Sequence, residues 1–319
     1  VSYDENQHLD PRPRRSRRGL VAAVAGAALV VGGAGGWLAW RTDGFGGGAP
    51  AGSATSAGKP GDSRSPGPAA GSTRPGTLTP PTSSPAPSPS SAGRRGPLAG
   101  KVVVVDPGHN PGNFSHTREI NKHVDIGTNR KECDTTGTAT DAGYREADFT
   151  LDVSRRLRTL LEEQGAKVLF TQNDDRPFGP CVDERARFGN EAKADAVVSI
   201  HADGSAAGNR GFHVILPGRV KAGAADTASI VGPSRDLGER IAGRFLRATG
   251  SSPSNYVGGG TGLDVREDLG GLNLSTVPKV FIECGNMRDP EDVALLTSPS
   301  WRQKAARGMA DGIGSYLQQ

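Results

Sequence analysis

The sequence predicts an α/β fold: one domain with a mixed, mostly parallel central sheet flanked by helices, preceded by an apolar helix and a disordered linker. Three observations carry this. β-Branched runs such as KVVVVD, AVVSIH and KVFIE have the unbroken apolar character of strands buried on both faces. Segments of helical periodicity separate them, the alternation that builds α/β layers. Glycine, proline and serine are enriched ahead of Pro97, leaving the first third too little apolar material to share in a core.

Residues 1–18 read as a basic tail, with Arg12, Arg14, Arg15, Arg17 and Arg18 in close succession. The formal charge of +4 is therefore largely local. No basic helix or base-stacking motif accompanies it, so no nucleic-acid partner is expected. Residues 19–40, GLVAAVAGAALVVGGAGGWLAW, carry no charge and are long enough to cross about 30 Å of hydrocarbon as a helix. The arginines mark the inner end and Trp37 and Trp40 suit the outer interface, which puts the rest of the chain outside the membrane. The segment is long for a signal peptide and no small-x-small site precedes Arg41, which favours an anchor over a cleaved leader and a secreted chain. Residues 41–97, with stretches such as PGTLTPPTSSPAPSPSSAG, cannot bury a core and read as a disordered tether. A flexible coil of that length spans on the order of 40 Å, and proline extends it.

Residues 98–319 hold the folded domain. Strands are expected at 101–106, 167–171, 196–201, 211–216 and 279–283. Between the first two, Phe149, Val153, Leu157, Leu160 and Leu161 recur at helical spacing, with Gly165 as the stop. Further helices are expected over 182–193, over 235–249 and from about Pro299 to the end.

In open α/β sheets ligands sit at the carboxyl ends of strands. There the chain offers His109 after VVVVDPG, His201 after AVVSI and Glu283 after KVFI, while Glu146 opens the long helix. Two histidines and one carboxylate form a common catalytic zinc set with a fourth position left for water. Zinc brings the pKa of that water to about 7, and a second carboxylate carries the proton to a leaving amine. Glu283, at the end of a stiff buried strand, suits the proton carrier better, and Glu146 on a first helical turn suits the metal. Taken singly, each residue has an ordinary structural explanation: a hydrogen-bonded strand-end histidine, or a carboxylate complementing a helix dipole. Their common placement at one sheet edge argues for a site. There is no HExxH and no GxSxG, and Cys284 directly follows Glu283, so its thiol should point to the opposite face.

DPGHNPGN, Glu146, SIHADG and ECGNM, in that order, strongly resemble the zinc-dependent N-acetylmuramoyl-L-alanine amidases of the Amidase_3 type. The stretch GLDVREDLGGLNLSTVPKVFIECGNM is similar to the actinobacterial, mycobacterial-type members. The resemblance covers nearly all of residues 99–319. It implies that His109, Glu146 and His201 bind one zinc ion and that Glu283 is the catalytic glutamate. It also implies hydrolysis of the amide between N-acetylmuramic acid and the L-alanine of the peptidoglycan stem peptide. Many members carry a second glycine after the first metal histidine, where this chain has Asn110 and Pro111. The polar insertion 110–145 reads as a lid, a hairpin or a partner surface, and its His116 and His123 follow no buried strand. His213, inside GFHVIL, is expected to line a wall or face solvent.

Three cysteines without CxxC spacing make neither a disulfide scaffold nor a zinc finger. In an exported domain a Cys133–Cys181 bridge is expected to pin the insertion to the body, with about 4 kcal/mol credited by the chain-entropy model. Arg266, Asp268 and Asn273, just before the Glu283 strand, are candidate substrate contacts, since an arginine fork suits a stem-peptide carboxylate. The partners implied are peptidoglycan and, through residues 19–40, a membrane; a monomer is expected, with any activator unidentified. Two other readings share most of these features: a zinc peptidase cutting within the stem peptide, and a non-catalytic wall-binding or regulatory module on an amidase scaffold. The second has no use for an intact set of four residues.

Overall fold

Residues 96–319 of a computed structural model are described; the basic tail, the apolar segment 19–40 and nearly all of the linker lie outside them. Among the described residues no helix is long and apolar enough to cross a membrane. In chain order the elements are β1 (Val102–Pro107), α1 (Thr117–Ile120), β2 (His123–Asp125), β3 (Arg130–Glu132), α2 (Glu146–Glu163) and β4 (Lys167–Phe170). Next come α3 (Val182–Glu191), β5 (Ala196–Asp203), β6 (His213–Pro217), β7 (Lys221–Ala222), β8 (Ala225–Asp226) and α4 (Val231–Thr249). The chain closes with β9 (Leu263–Arg266), α5 (Gly270–Asn273), β10 (Lys279–Asn286), α6 (Pro290–Leu296) and α7 (Pro299–Leu317).

Six strands form the central sheet in the order β4-β1-β5-β10-β6-β9. All neighbours run parallel except β10 and β6. β6 follows β5 through a loop rather than a crossover helix, so it returns antiparallel, as short connections require. The five expected strands are all present. β5 and β10 run past His201 and Glu283 to Asp203 and Asn286, so those two side chains sit inside strands rather than at their tips. β9 was not expected: its only strand-like signal is the half-exposed Leu263 and Val265 at the sheet edge.

Alternation divides the sheet residues cleanly. Val103, Val105, Val198, Ile200, Val214, Leu216, Val280, Ile282 and Cys284 face α2, α4 and α7 in the main core. Val104, Val197, Ile215 and Phe281 face the other way, in two small clusters beneath α3 and α5. This thinner layer leaves room for polar residues on its face, and Asp106, Ser199, His201, Glu283, His213 and Lys279 all belong to it by register. Cys284 is a free, buried thiol on the core side, as its sequence position implied.

α2 forms as its periodicity demands, burying Phe149, Val153, Leu157, Leu160 and Leu161. α7 starts at Ser298, whose hydroxyl caps the Trp301 N–H, followed by Pro299 in the first turn. The insertion between β1 and α2 contains a 3-10 turn (Asn113–Ser115), α1 and the β2–β3 hairpin. A Cys133–Cys181 disulfide with a sequence separation of 48 ties it to the start of α3, and Val182 N–H donates to Cys133 O at 2.8 Å.

Candidate metal centre

The centre begins where β1 stops. Gly108 must be glycine, because a Cβ there would lie 2.3 Å from His201 Cε1. His109 follows in the left-handed region, φ 59°, which turns its ring back over the sheet edge. Its carbonyl accepts from Gln172 Nε2 and Arg185 Nη2, both at 3.0 Å. Asn110 and the following turn hold the loop to the 176–179 segment: Asn110 Nδ2 donates to Gly179 O at 3.0 Å. The Asn-Pro pair thus replaces a glycine with an anchoring amide.

Glu146, the first residue of α2, lies between the two histidines. Its Oε2 is 3.2 Å from His109 Nε2 and its Oε1 is 2.9 Å from His201 Nδ1. The carboxylate also accepts the N–H groups of Thr138 at 2.9 Å and Ala202 at 3.2 Å. Gly137 passes so close that a Cβ would sit 2.7 Å from His109 Cδ2. His201 stacks on Phe281, centroids 5.4 Å apart, and meets His109 edge-on at 5.0 Å. One ligand atom from each of His109, Glu146 and His201 lies within 4.8 Å of the others, and all three residues are buried. Donors around a tetrahedral zinc at about 2.0–2.1 Å sit about 3.3 Å apart. The observed spacings are of that order, and the donor set is one that holds a divalent ion.

The electrostatics of the centre follow from this packing. Burial opposes charge on His109, but the Glu146 carboxylate and hydrogen bonds to Asp134 and Glu146 outweigh it and push the imidazole up to about 9. His201 shares Glu146 yet is lowered to about 4, because burial wins there and the charge on His109 adds to it. Burial also opposes the charge on Glu146, but His109 and hydrogen bonds from both rings hold it well below the usual carboxylate range.

Glu283 lies next to His201 in β10 and is fully buried. Burial, with the Asp203 and Glu146 charges beside it, pushes its carboxyl up to about 8. A carboxyl so placed exchanges its proton near neutral pH. Beyond it, Tyr256 Oη donates to Asp203 Oδ2 at 2.5 Å, and the Tyr256 ring meets His213 edge-on at 5.9 Å. His213 does not face solvent. It is fully buried abreast of Glu283, and burial together with the nearby Arg266 charge lowers it to about 3. Asp203 was not singled out from the sequence, although its place two residues after His201 on the same strand face would have pointed to it. Tyr256, in an irregular loop, carried no signal.

The other candidates are placed as follows. Arg266 forks Asp268 at 2.7 and 2.6 Å, and Lys131 of the hairpin meets the same carboxylate at 3.1 Å. Asn273 Nδ2 donates to Glu267 O at 2.9 Å and to Thr128 Oγ1 at 3.3 Å. Asp268 and Asn273 therefore join the insertion to the body, and Arg266 braces Asp268. His116 stacks on Phe178 and bonds Gly112 O, and His123 is exposed against Glu132, so neither reaches the centre. Two surface hollows of about 370 and 350 Å³ are lined by other residues.

Residues 103–315 match the Amidase_3 family model, described as N-acetylmuramoyl-L-alanine amidase. The chain is 40% identical over 221 residues to the N-acetylmuramoyl-L-alanine amidase Rv3717 of Mycobacterium tuberculosis, covering 69% of this chain and 88% of that one. The solved Ami1 amidase of Mycobacterium smegmatis is similar at 40% identity and TM-score 0.64, over 69% of this chain and 98% of that one. Ami1 of Mycobacterium abscessus gives 42% identity and TM-score 0.63, over 69% and 100%.

Proposed function

This chain belongs to the Amidase_3 family of N-acetylmuramoyl-L-alanine amidases, and from that premise we propose a zinc centre at His109, Glu146 and His201 with Glu283 as its proton carrier. The reaction is hydrolysis of the amide joining N-acetylmuramic acid to the L-alanine of the peptidoglycan stem peptide. The observation that carries the zinc reading is the convergence of two imidazoles and a carboxylate, drawn from three separate elements, on one buried point. When bound, zinc supplies a Lewis acid for the scissile carbonyl and acidifies the attacking water.

The protein's own residues do the rest. Glu146 lies between the two rings, and the Thr138 and Ala202 N–H groups fix its carboxylate so that its oxygens facing the rings would ligate zinc beside them. Glu283, fully buried and in register with His201, would take the water proton and return it to the departing L-alanine amine. That amine leaves only once protonated, so the same group serves both steps. Asp203 and Tyr256 form a wall beside Glu283.

Peptidoglycan is the substrate, so the domain works outside the cytoplasm. Residues 19–40 would anchor it there and residues 41–97 would let it reach the wall. Arg266 ends β9, close enough for its charge to act on His213, and a stem-peptide carboxylate would compete with Asp268 for its fork. The test is activity on purified peptidoglycan before and after chelation. Zinc should restore the loss, and the His109→Ala and His201→Ala variants should bind no zinc. Full activity in a chelated, metal-free protein would end the zinc reading.

A further inference from the structure

If His109, Glu146 and His201 hold zinc, His109 meets the metal through Nε2, the atom facing Glu146 at 3.2 Å. Its Nδ1 must then keep the proton and face an acceptor. Three oxygens surround it: Thr135 O at 3.1 Å, Thr135 Oγ1 at 3.2 Å and Asp134 Oδ1 at 3.3 Å. Only Asp134 brings a full negative charge, and a carboxylate behind a ligating imidazole fixes its tautomer and raises its basicity.

Asp134 does not stand alone. It is buried, directly after Cys133 of the disulfide, and its Oδ2 accepts from Arg185 Nη2 at 2.9 Å. Arg185, on α3, is also buried and engages all five of its N–H donors. Nε reaches Pro180 O at 2.9 Å, and Nη1 reaches Asp106 Oδ1 at 2.7 Å and Pro107 O at 2.6 Å. Nη2 divides between Asp134 and His109 O, the latter at 3.0 Å. One guanidinium therefore grips both the backbone that carries His109 and the carboxylate that faces its ring. The left-handed backbone at His109 is unfavourable for a residue with a side chain, and this grip, with that of Gln172, holds it.

We propose that Asp134, held by Arg185, is a positioning residue that locks the Nδ1-protonated form and ring plane of His109, so that the disulfide-bound insertion sets the affinity of the centre for zinc. Asp134 touches no reacting atom. The proposal rests on the zinc reading of the preceding section. The rival role is purely structural, with Asp134 serving only to neutralise buried Arg185.

Zinc affinity of the 319-residue chain, measured by competition with a chromophoric chelator, separates the two. The variants are Asp134→Asn, Arg185→Lys, His109→Ala and, as a calibrator, Ile241→Ala in the α4 core. Asparagine keeps the shape of aspartate and still accepts from Arg185, but loses the charge. Asp134→Asn is expected to weaken zinc binding about 10- to 100-fold, with Arg185→Lys moving it the same way. Ile241→Ala should lower the melting temperature and leave zinc affinity unchanged. If Asp134→Asn does not fold, Arg185→Lys, which keeps the buried charge, decides. Wild type that binds no zinc, or His109→Ala that binds as tightly as wild type, overturns the zinc reading and this proposal with it. Binding lost in His109→Ala but kept in the Asp134 and Arg185 variants overturns the positioning role alone. Equal weakening in Ile241→Ala assigns the effect to stability and overturns it too.

Discussion

Glu283 stands beside His201 in parallel register across the β5–β10 pair, and both side chains lie on the thin face of the sheet. Adjacent strands are about 4.8 Å apart, so ladder hydrogen bonds, not a loop, set the distance from Glu283, the proposed proton carrier, to His201, a proposed metal ligand. His213 is in register with Glu283 on the other side, so the backbone ladder lines up the three side chains.

It follows that Glu283→Gln should separate metal binding from chemistry. The amide fits the same space, and zinc content should stay at the wild-type level. The rate constant kcat should fall about 10²- to 10⁴-fold, the range of a lost general base. Metal analysis beside steady-state kinetics gives the answer, and a variant that loses zinc as well would make Glu283 a ligand instead.

Gly108 sets a second expectation. A methyl group there would meet the His201 ring at 2.3 Å, so Gly108→Ala must displace the ring. Zinc affinity should fall at least about tenfold while far-ultraviolet circular dichroism keeps its α/β shape. Unchanged affinity would mean that the ring has another place from which to bind.

The disulfide should matter to stability. Replacing Cys133 and Cys181 by serine is expected to remove about 2–5 kcal/mol, read from urea melts. The hairpin keeps its ion pair from Lys131 to Asp268, which is half exposed and worth little. A double variant as stable as the parent would show that the body holds the insertion without the bridge.

Asp106 gives a pH dependence with a definite sign. Burial opposes its charge, but Lys279 and Arg185, with hydrogen bonds from Thr171 and Arg185, outweigh that and hold the carboxyl far below its usual value. A depressed folded pKa stabilises the protein above the unfolded value of about 3.9, and that contribution is lost as pH falls further. Asp106→Asn should cost about 3–5 kcal/mol at pH 7, since it leaves two buried cations facing a neutral amide. Its stability should also fall less steeply than wild type below pH 4. Parallel acid limbs in thermal melts would place the titration elsewhere.

How far the sequence could be read depended on the kind of signal. The core strands were legible because Val102 to Val105 and Val280 to Ile282 carry long β-branched runs, and α2 because its apolar residues recur at one period. Boundaries slipped where polar residues continue a strand, as His201 to Asp203 and Glu283 to Asn286 do under cover of neighbouring loops. The residues of the centre were legible because His109 follows the apolar run of β1, Glu146 opens α2, and His201 and Glu283 stand where the apolar runs of β5 and β10 give way to polar residues. Arg185 and Asp134 were not: one is an arginine in a charged helix, the other an aspartate in a polar insertion. Their burial together depends on a fold that brings positions 51 residues apart within 2.9 Å. For His213 the sequence left wall and solvent both open, since whether a strand position faces water depends on the Tyr256 loop that covers it; it is a buried wall residue.

The most direct test of the account is mass spectrometry of peptidoglycan digested by the protein with zinc, after chelation, and by the Glu283→Ala variant. The account predicts stem peptides released with a free L-alanine amino terminus, absent under both controls. Fragments cut within the stem peptide, with the sugar–alanine amide intact, would contradict it.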